Sequence, residues 1–331
     1  MILFTDSIKL RYPGFVLSVL LGIAAMTIAQ KYSAPVMLFA IMTGLALHPA
    51  YESTKFKAGI NWCARPLLLT GVALLGFRVN VQDVAELGFI APVIAISALV
   101  LTILIGCLTA KFLKIPSKLA VLISSSVAIC GVSAAVAIAS ILPQSKSSER
   151  NLALTVAGVT AMSTLAMITY PIISQWLNHS NLQAGIFIGA SIHDVAQVVG
   201  AGYSISDSAG NSSTLVKLVR VSALLPTVLV IGFLFRDTSN TDNRKYSNVL
   251  PLFLVAYLII AALNSYQLFP SMIQSLGVEA SRYCLIFSLV AIGLKTNLKS
   301  ISEVGRAPLI LLLGCTLFLA LLSLLLIYFF V

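Results

Sequence analysis

Between Gly189 and Gly200 the chain reads Gly-Ala-Ser-Ile-His-Asp-Val-Ala-Gln-Val-Val-Gly, which sets His193, Asp194 and Gln197 inside an otherwise apolar stretch. About twenty residues on, Lys217 and Arg220 interrupt the next apolar stretch. Ionisable groups at membrane depth are costly, so they are expected to face one another or a pathway for substrate or ion. Gly189, Gly200 and Gly202 weaken the first stretch as a helix; helical spacing places His193 and Gln197 on one face, with Asp194 about a hundred degrees round, and in a span broken there these side chains and the freed backbone groups line a cavity. Lys217 and Arg220, three apart, share a face of the following helix. With histidine neutral, the group Lys217, Arg220 and Asp194 carries one surplus positive charge, which favours an anion, and arginine suits two-point binding of tetrahedral oxyanions. The competing structural readings are a His193/Asp194 pair that only holds two helices together, and a Lys217 that snorkels to an interface.

A second segment, Ser124-Ser125-Ser126 through Ile129-Cys130-Gly131-Val132-Ser133-Ala134, is small and hydroxyl-rich. Such residues let helices pack closely in lipid. Alternatively Gly131 starts a new helix whose first N–H groups face an anion. The candidate substrate-binding set is therefore His193, Asp194, Gln197, Lys217, Arg220, Ser191, Gly131 and Ser133, with His193 and Asp194 as the proton-coupling pair. Imidazole titrates near pH 6.5 and its surroundings move it either way.

The elements that must hold these residues are membrane helices. The chain has 331 residues, 59% of them hydrophobic and 10% charged, with a mean hydropathy of +1.00. These values identify an all-α polytopic membrane protein. Apolar runs long enough for roughly 30 Å of hydrocarbon fall near 14–30, 33–49, 60–77, 88–110, 118–142, 151–177, 183–203, 214–235, 248–266, 280–294 and 307–330. That is about eleven spans in one transporter domain covering 1–331. With the N-terminus inside, fourteen Lys and Arg fall on cytoplasmic loops and five outside, Arg78 and Arg282 among the latter. This bias predicts a cytoplasmic N-terminus and a periplasmic C-terminus. It also accounts for the net charge of +10 without a nucleic-acid partner. The five cysteines stand singly, with no zinc-ligand or disulfide spacing, so no metal or cofactor is expected; Cys130 alone lies in a segment of interest. Arg78 and Lys295 are read as interfacial anchors, Trp62 and Trp176 as belt residues, and His48 and His179 as span-end residues without signal.

Gly76-Phe77-Arg78-Val79-Asn80 aligns with Gly293-Leu294-Lys295-Thr296-Asn297, and the same register matches Glu86 with Glu303 and Gly88 with Gly305. The copies, near 60–110 and 280–330, end the third and tenth spans and so point in opposite directions. Inverted repeats with discontinuous helices are characteristic of secondary transporters.

Leu75-Gly76-Phe77-Arg78, Ile129 to Ala134, Tyr170-Pro171, Gly189 to Val199, Val216 to Val221 and Gly293 to Leu298 together resemble the YeiH-like bacterial inner-membrane proteins, a family labelled sulfate exporters. The resemblance covers nearly the whole chain; one departure is Thr169 before Tyr170, where a larger apolar residue is expected. It implies a multi-pass inner-membrane transporter exporting or exchanging sulfate or an organosulfonate; the His193/Asp194 pair points to a proton as coupling ion, with sodium as the other candidate. It also implies a fold related to the bile-acid symporters and cation/proton antiporters, in which homodimers are common. Three other readings stay open: a cation/proton antiporter using Asp194, a sensor or scaffold that binds without flux, and an intramembrane enzyme, against which stands the lack of any nucleophile motif. No nucleotide-binding loop is present, so ATP drive would need another subunit.

Overall fold

The computed structural model describes residues 2–32, 36–78, 85, 87–143, 147–235, 252–296 and 305–331. All of the regular structure among them is helical. The elements are α1 (Ile2–Lys31), α2 (Val36–Ala46), α3 (Pro49–Glu52), α4 (Thr54–Trp62), α5 (Leu68–Leu74), α6 (Ile90–Phe112), α7 (Ser117–Ala128), α8 (Val132–Ile141) and α9 (Ser148–Trp176). They continue with α10 (Asn181–Ser191), α11 (Val195–Ile205), α12 (Asp207–Ser222), α13 (Leu224–Leu234), α14 (Leu252–Ser265), α15 (Ser271–Lys295) and α16 (Arg306–Phe330). A π-helical turn at Cys63–Leu67, which contains Pro66, joins α4 to α5, and a 3-10 turn at Leu75–Phe77 ends that span. Among the described residues seven helical stretches are long and apolar enough to cross a membrane, and shorter apolar helices accompany them. The chain is an all-α, multi-pass membrane protein, and the described part of each expected apolar segment is largely helix.

Two expected spans are not continuous. Segment 118–142 is split into α7 and α8, and segment 183–203 into α10 and α11. The second break falls at Ile192 to Asp194 and not at the glycines, which corrects the expected helical relation of His193 to Gln197: His193 lies ahead of α11. Gly189 and Gly202 serve a different purpose, since a Cβ on Gly189 would stand 2.5 Å from the Ser213 carbonyl and one on Gly202 2.1 Å from the Ser213 hydroxyl. They let α10 and α11 lie directly on α12, the close approach on which helix association in lipid depends.

The single domain read from the sequence divides into two compact units, Met1–Glu86 with Tyr203–Asp207 and Leu252–Asn297, and Leu87–Gly202 with Ser208–Pro251 and Leu298–Val331. In the first, α15 packs on α2 and α14 on α5. Gly293 of α15 meets the α2 backbone, where a Cβ would lie 2.3 Å from the Ile41 carbonyl, and Gly76 meets α14, where a Cβ would lie 2.7 Å from the Tyr257 carbonyl. These two glycines are one of the two pairs matched in the repeat. In the second unit α6 packs on α7 and α10 on α16. The matched glycines Gly88 and Gly305, each just ahead of one of its long helices, both have positive φ, +63° and +85°. Asn80, Glu86, Asn297 and Glu303 of the repeat lie outside the described residues.

Candidate functional site

In the second unit the two helix breaks touch. Gly131 has φ +63° and ψ −122°, a conformation that side-chain-bearing residues rarely adopt. A Cβ there would lie 3.7 Å from the backbone carbonyl of His193 and 3.3 Å from Val159. The C-terminal ends of α7 and α10 thus converge, and each end of this kind leaves carbonyls without intrahelical partners and about half a negative charge.

Lys217 and Arg220 of α12 supply what those ends lack. Both are fully buried, at 0% exposure. The Lys217 ammonium donates to the carbonyls of Ile129 (2.8 Å), Ile192 (2.9 Å) and His193 (2.5 Å), which uses all three of its N–H groups. Arg220 donates from Nε to Ala128 (2.9 Å), from Nη1 to Ala190 (2.7 Å), Ile192 (3.1 Å) and Gly189 (3.2 Å), and from Nη2 to Val127 (3.1 Å) and again to Ala128. Every nitrogen of both side chains is engaged with backbone. Sequence reasoning assigned these cations to a bound anion; here they bind the chain, and Lys217 does not snorkel.

The remaining candidates surround the breaks. The buried His193 ring shares a hydrogen bond between Nε2 and the Thr316 hydroxyl of α16 (3.0 Å), while Nδ1 has no partner within hydrogen-bonding distance. Half-buried Asp194 is the N-cap of α11: its carboxylate accepts from the Ala196 N–H at 2.9 Å, and its own N–H donates to the Ser163 hydroxyl at 3.0 Å. That is standard N-cap chemistry, with the carboxylate on a positive helix end. Gln197, in the first turn of α11, donates to Thr164 at 3.0 Å, and its carbonyl oxygen is buried without a partner. Buried Ser191 donates back to the Phe187 carbonyl inside α10. Cys130 is buried at the first break. Gly131 takes the N-cap position of α8 and brings no capping side chain. Ser133, in the first turn of that helix, is exposed.

The site also enlists residues that sequence reasoning passed over. Ser163 and Thr164 reach it from α9, and Thr316 from α16. The signal for the first two was present as hydroxyls at Thr160, Ser163 and Thr164, spaced three and four apart in an apolar span. Thr316 stands alone among leucines and had none. No group of three His, Cys, Asp or Glu side chains among the described residues is arranged to hold a metal.

Comparison with known proteins gives the family. Residues 13–312 match the family described as conserved hypothetical protein 698. The UPF0324 membrane protein RB0971 of Rhizobium meliloti is 43% identical over 310 residues, covering 93% of this chain and 90% of that protein. The UPF0324 membrane protein TauZ of Paracoccus denitrificans is 42% identical over 316 residues, covering 95% and 94%. The UPF0324 membrane protein CT0845 of Chlorobaculum tepidum is 40% identical over 315 residues, covering 95% and 88%. No solved structure matches.

Proposed function

We infer that this chain, which belongs to the family of conserved hypothetical protein 698 and its UPF0324 membrane proteins, is a secondary active transporter of a small anion of the sulfate or organosulfonate type. The observation that carries this reading is the meeting of two helix breaks, Ile129 to Gly131 and Ile192 to Asp194, inside one unit. Interrupted helices are tolerated at membrane depth only where protein or a water-filled cavity receives the freed backbone groups, and in transporters that is where substrate binds. The packing of α5 on α14 and of α15 on α2 supports an inverted repeat, because exchanging the third span for the tenth and the ninth for the second turns one contact into the other.

The charge balance supports an anion by a route other than the one read from the sequence. Lys217 and Arg220 are offset by two half-helix C-termini and by Asp194, and the first turns of α8 and α11 add back about half a charge each, leaving about one positive charge overall. Asp194 caps α11. The first turn of α8, with Gly131 in place of a capping side chain and Ser133 exposed, is where the surplus lies open. Protonation of His193, at the junction of α10, α11 and α16, would alter that balance and so couple a proton to anion affinity.

A second reading is cation/proton exchange at Asp194, where the nearby cations Lys217 and Arg220 donate to backbone carbonyls and the carboxylate caps α11. Thermal stability of the purified protein at constant ionic strength, titrated with sulfate, sulfite, thiosulfate, taurine, isethionate, chloride, sodium and lithium at two pH values, separates the two. A ligand that binds only the folded state raises the midpoint. Stabilisation by a sulfur oxyanion or sulfonate supports the anion site. Stabilisation by sodium or lithium alone, lost in Asp194→Asn, replaces it with the exchanger.

A further inference from the structure

The first unit contains a cavity of about 240 Å³ that the crossing does not use. A single water needs about 10–15 Å³ on the same measure, so this space admits a small organic molecule. Part of its wall is apolar, with Met37 and Leu285; the rest is Arg78, Tyr203, Asp207 and Arg282.

These four polar residues form an incompletely balanced set. Arg78 donates from Nη1 to the Asp207 carboxylate at 2.8 Å and lies over the Tyr203 ring, 5.0 Å from its centroid. Tyr203 thereby fixes the plane of the guanidinium. The Arg78 side chain is 21% exposed and that of Asp207 84% exposed, so the carboxylate is the more solvated partner and the one that can be displaced. Exposed ion pairs of this kind contribute little stability. Arg282 lines the same space and makes no ion pair among the described residues. Two guanidinium groups against one carboxylate leave one positive charge, beside an apolar wall.

We propose that this cavity binds a tetrahedral oxyanion carried on a short apolar stem, with Arg282 as the primary charge and Arg78 released to the ligand as Asp207 swings away. A sulfonate and a phospholipid phosphate share that chemistry. The choice of a sulfonate as first ligand rests on the transporter reading above; the site does not, because it is read by equilibrium binding. The charge assignment from sequence puts Arg78 and Arg282 on the outer side, and none of the residues lining the cavity belongs to the crossing, so the two occupancies are separate.

The test is calorimetric titration of the full chain in phosphatidylcholine nanodiscs with ethanesulfonate at constant ionic strength, with retention of phosphatidylglycerol through delipidation measured by native mass spectrometry as a second arm. Arg282→Gln should weaken binding by about tenfold, the loss of one charge-assisted contact. Asp207→Asn should tighten it, because a competing carboxylate is gone; a merely structural ion pair gives the opposite sign. Ethanesulfonate binding with this pattern identifies a soluble ligand, and phosphatidylglycerol retention with this pattern identifies a lipid phosphate. Binding of neither, binding indifferent to Arg282→Gln, or binding lowered by Asp207→Asn as much as by Arg78→Gln overturns the site. Binding that follows the pattern without any flux in liposomes leaves this site standing and removes the transporter reading.

Discussion

Lys217 donates a hydrogen bond to the backbone carbonyl of His193 at 2.5 Å. The cation is thus spent on the bend that carries the histidine, and with Arg220 it fixes where two broken helices meet. The side chains of the crossing then divide in two: a cationic clamp made of side chains on backbone, and around it His193, Asp194, Gln197 and the first turn of α8, which the proposed function assigns to ligand and proton.

The clamp predicts a stability effect that an anion ligand would not give. Arg220→Ala leaves carbonyls of Val127, Ala128, Gly189 and Ala190 short of donors, at on the order of 1–3 kcal/mol for each buried group left unsatisfied. That variant is expected not to accumulate folded. Arg220→Lys keeps the charge but offers three donors where five were used, and its melting midpoint should fall by several degrees. An unchanged midpoint with a raised KM would instead mark Arg220 as a substrate ligand.

Gly131→Ala places a Cβ at φ +63° beside Val159 and the His193 carbonyl. Strain of this kind costs on the order of 1–3 kcal/mol. Because it falls on the contact between the two breaks, flux should drop further than the melting midpoint alone would explain. Gly314→Ala, where a Cβ meets nothing within 4 Å, is the matched control and should be silent in both assays.

Asp194 serves as cap and as carboxylate, and the two can be separated. Asparagine caps a helix about as well as aspartate, whereas alanine loses about 1 kcal/mol. Asp194→Asn should therefore keep the stability that Asp194→Ala loses, while both change the pH dependence of flux. His193→Gln should remove the acid limb of that profile. A profile unchanged in both His193→Gln and Asp194→Asn would remove the pair from proton coupling.

A second histidine adds a background that must be subtracted. His179, in the turn between α9 and α10, is lowered from its ordinary value by burial. A folded-state value below the unfolded one means that the unfolded chain binds the proton more readily. Stability from this group is then full above about pH 6.5 and is lost as the pH falls through the lower folded value. Melting midpoints measured across that range should flatten in His179→Asn, with the flux profile unaffected.

Much of this arrangement was legible in the sequence. Spans were readable because hydrocarbon demands long apolar runs, and the break at Gly131 because only glycine suits that backbone. The second break was not readable from glycines, since Gly189 and Gly202 are needed for packing against α12 and the chain instead leaves the helix at Ile192. The role of Lys217 and Arg220 was hidden for a related reason. Counting side-chain charge placed a surplus at the site, but the groups that neutralise it are backbone carbonyls, which become acceptors only once helix ends converge. Ser163, Thr164 and Thr316 entered through tertiary contact alone.

The most direct test of the account is uptake of radiolabelled sulfate, taurine and isethionate into proteoliposomes with and without an imposed pH gradient. Saturable uptake of one of these anions, driven by the gradient and changed in pH dependence by His193→Gln, is the predicted result. Absence of uptake for all three, together with sodium- or lithium-driven proton release that Asp194→Asn abolishes, would contradict the anion assignment and make the crossing a cation exchanger.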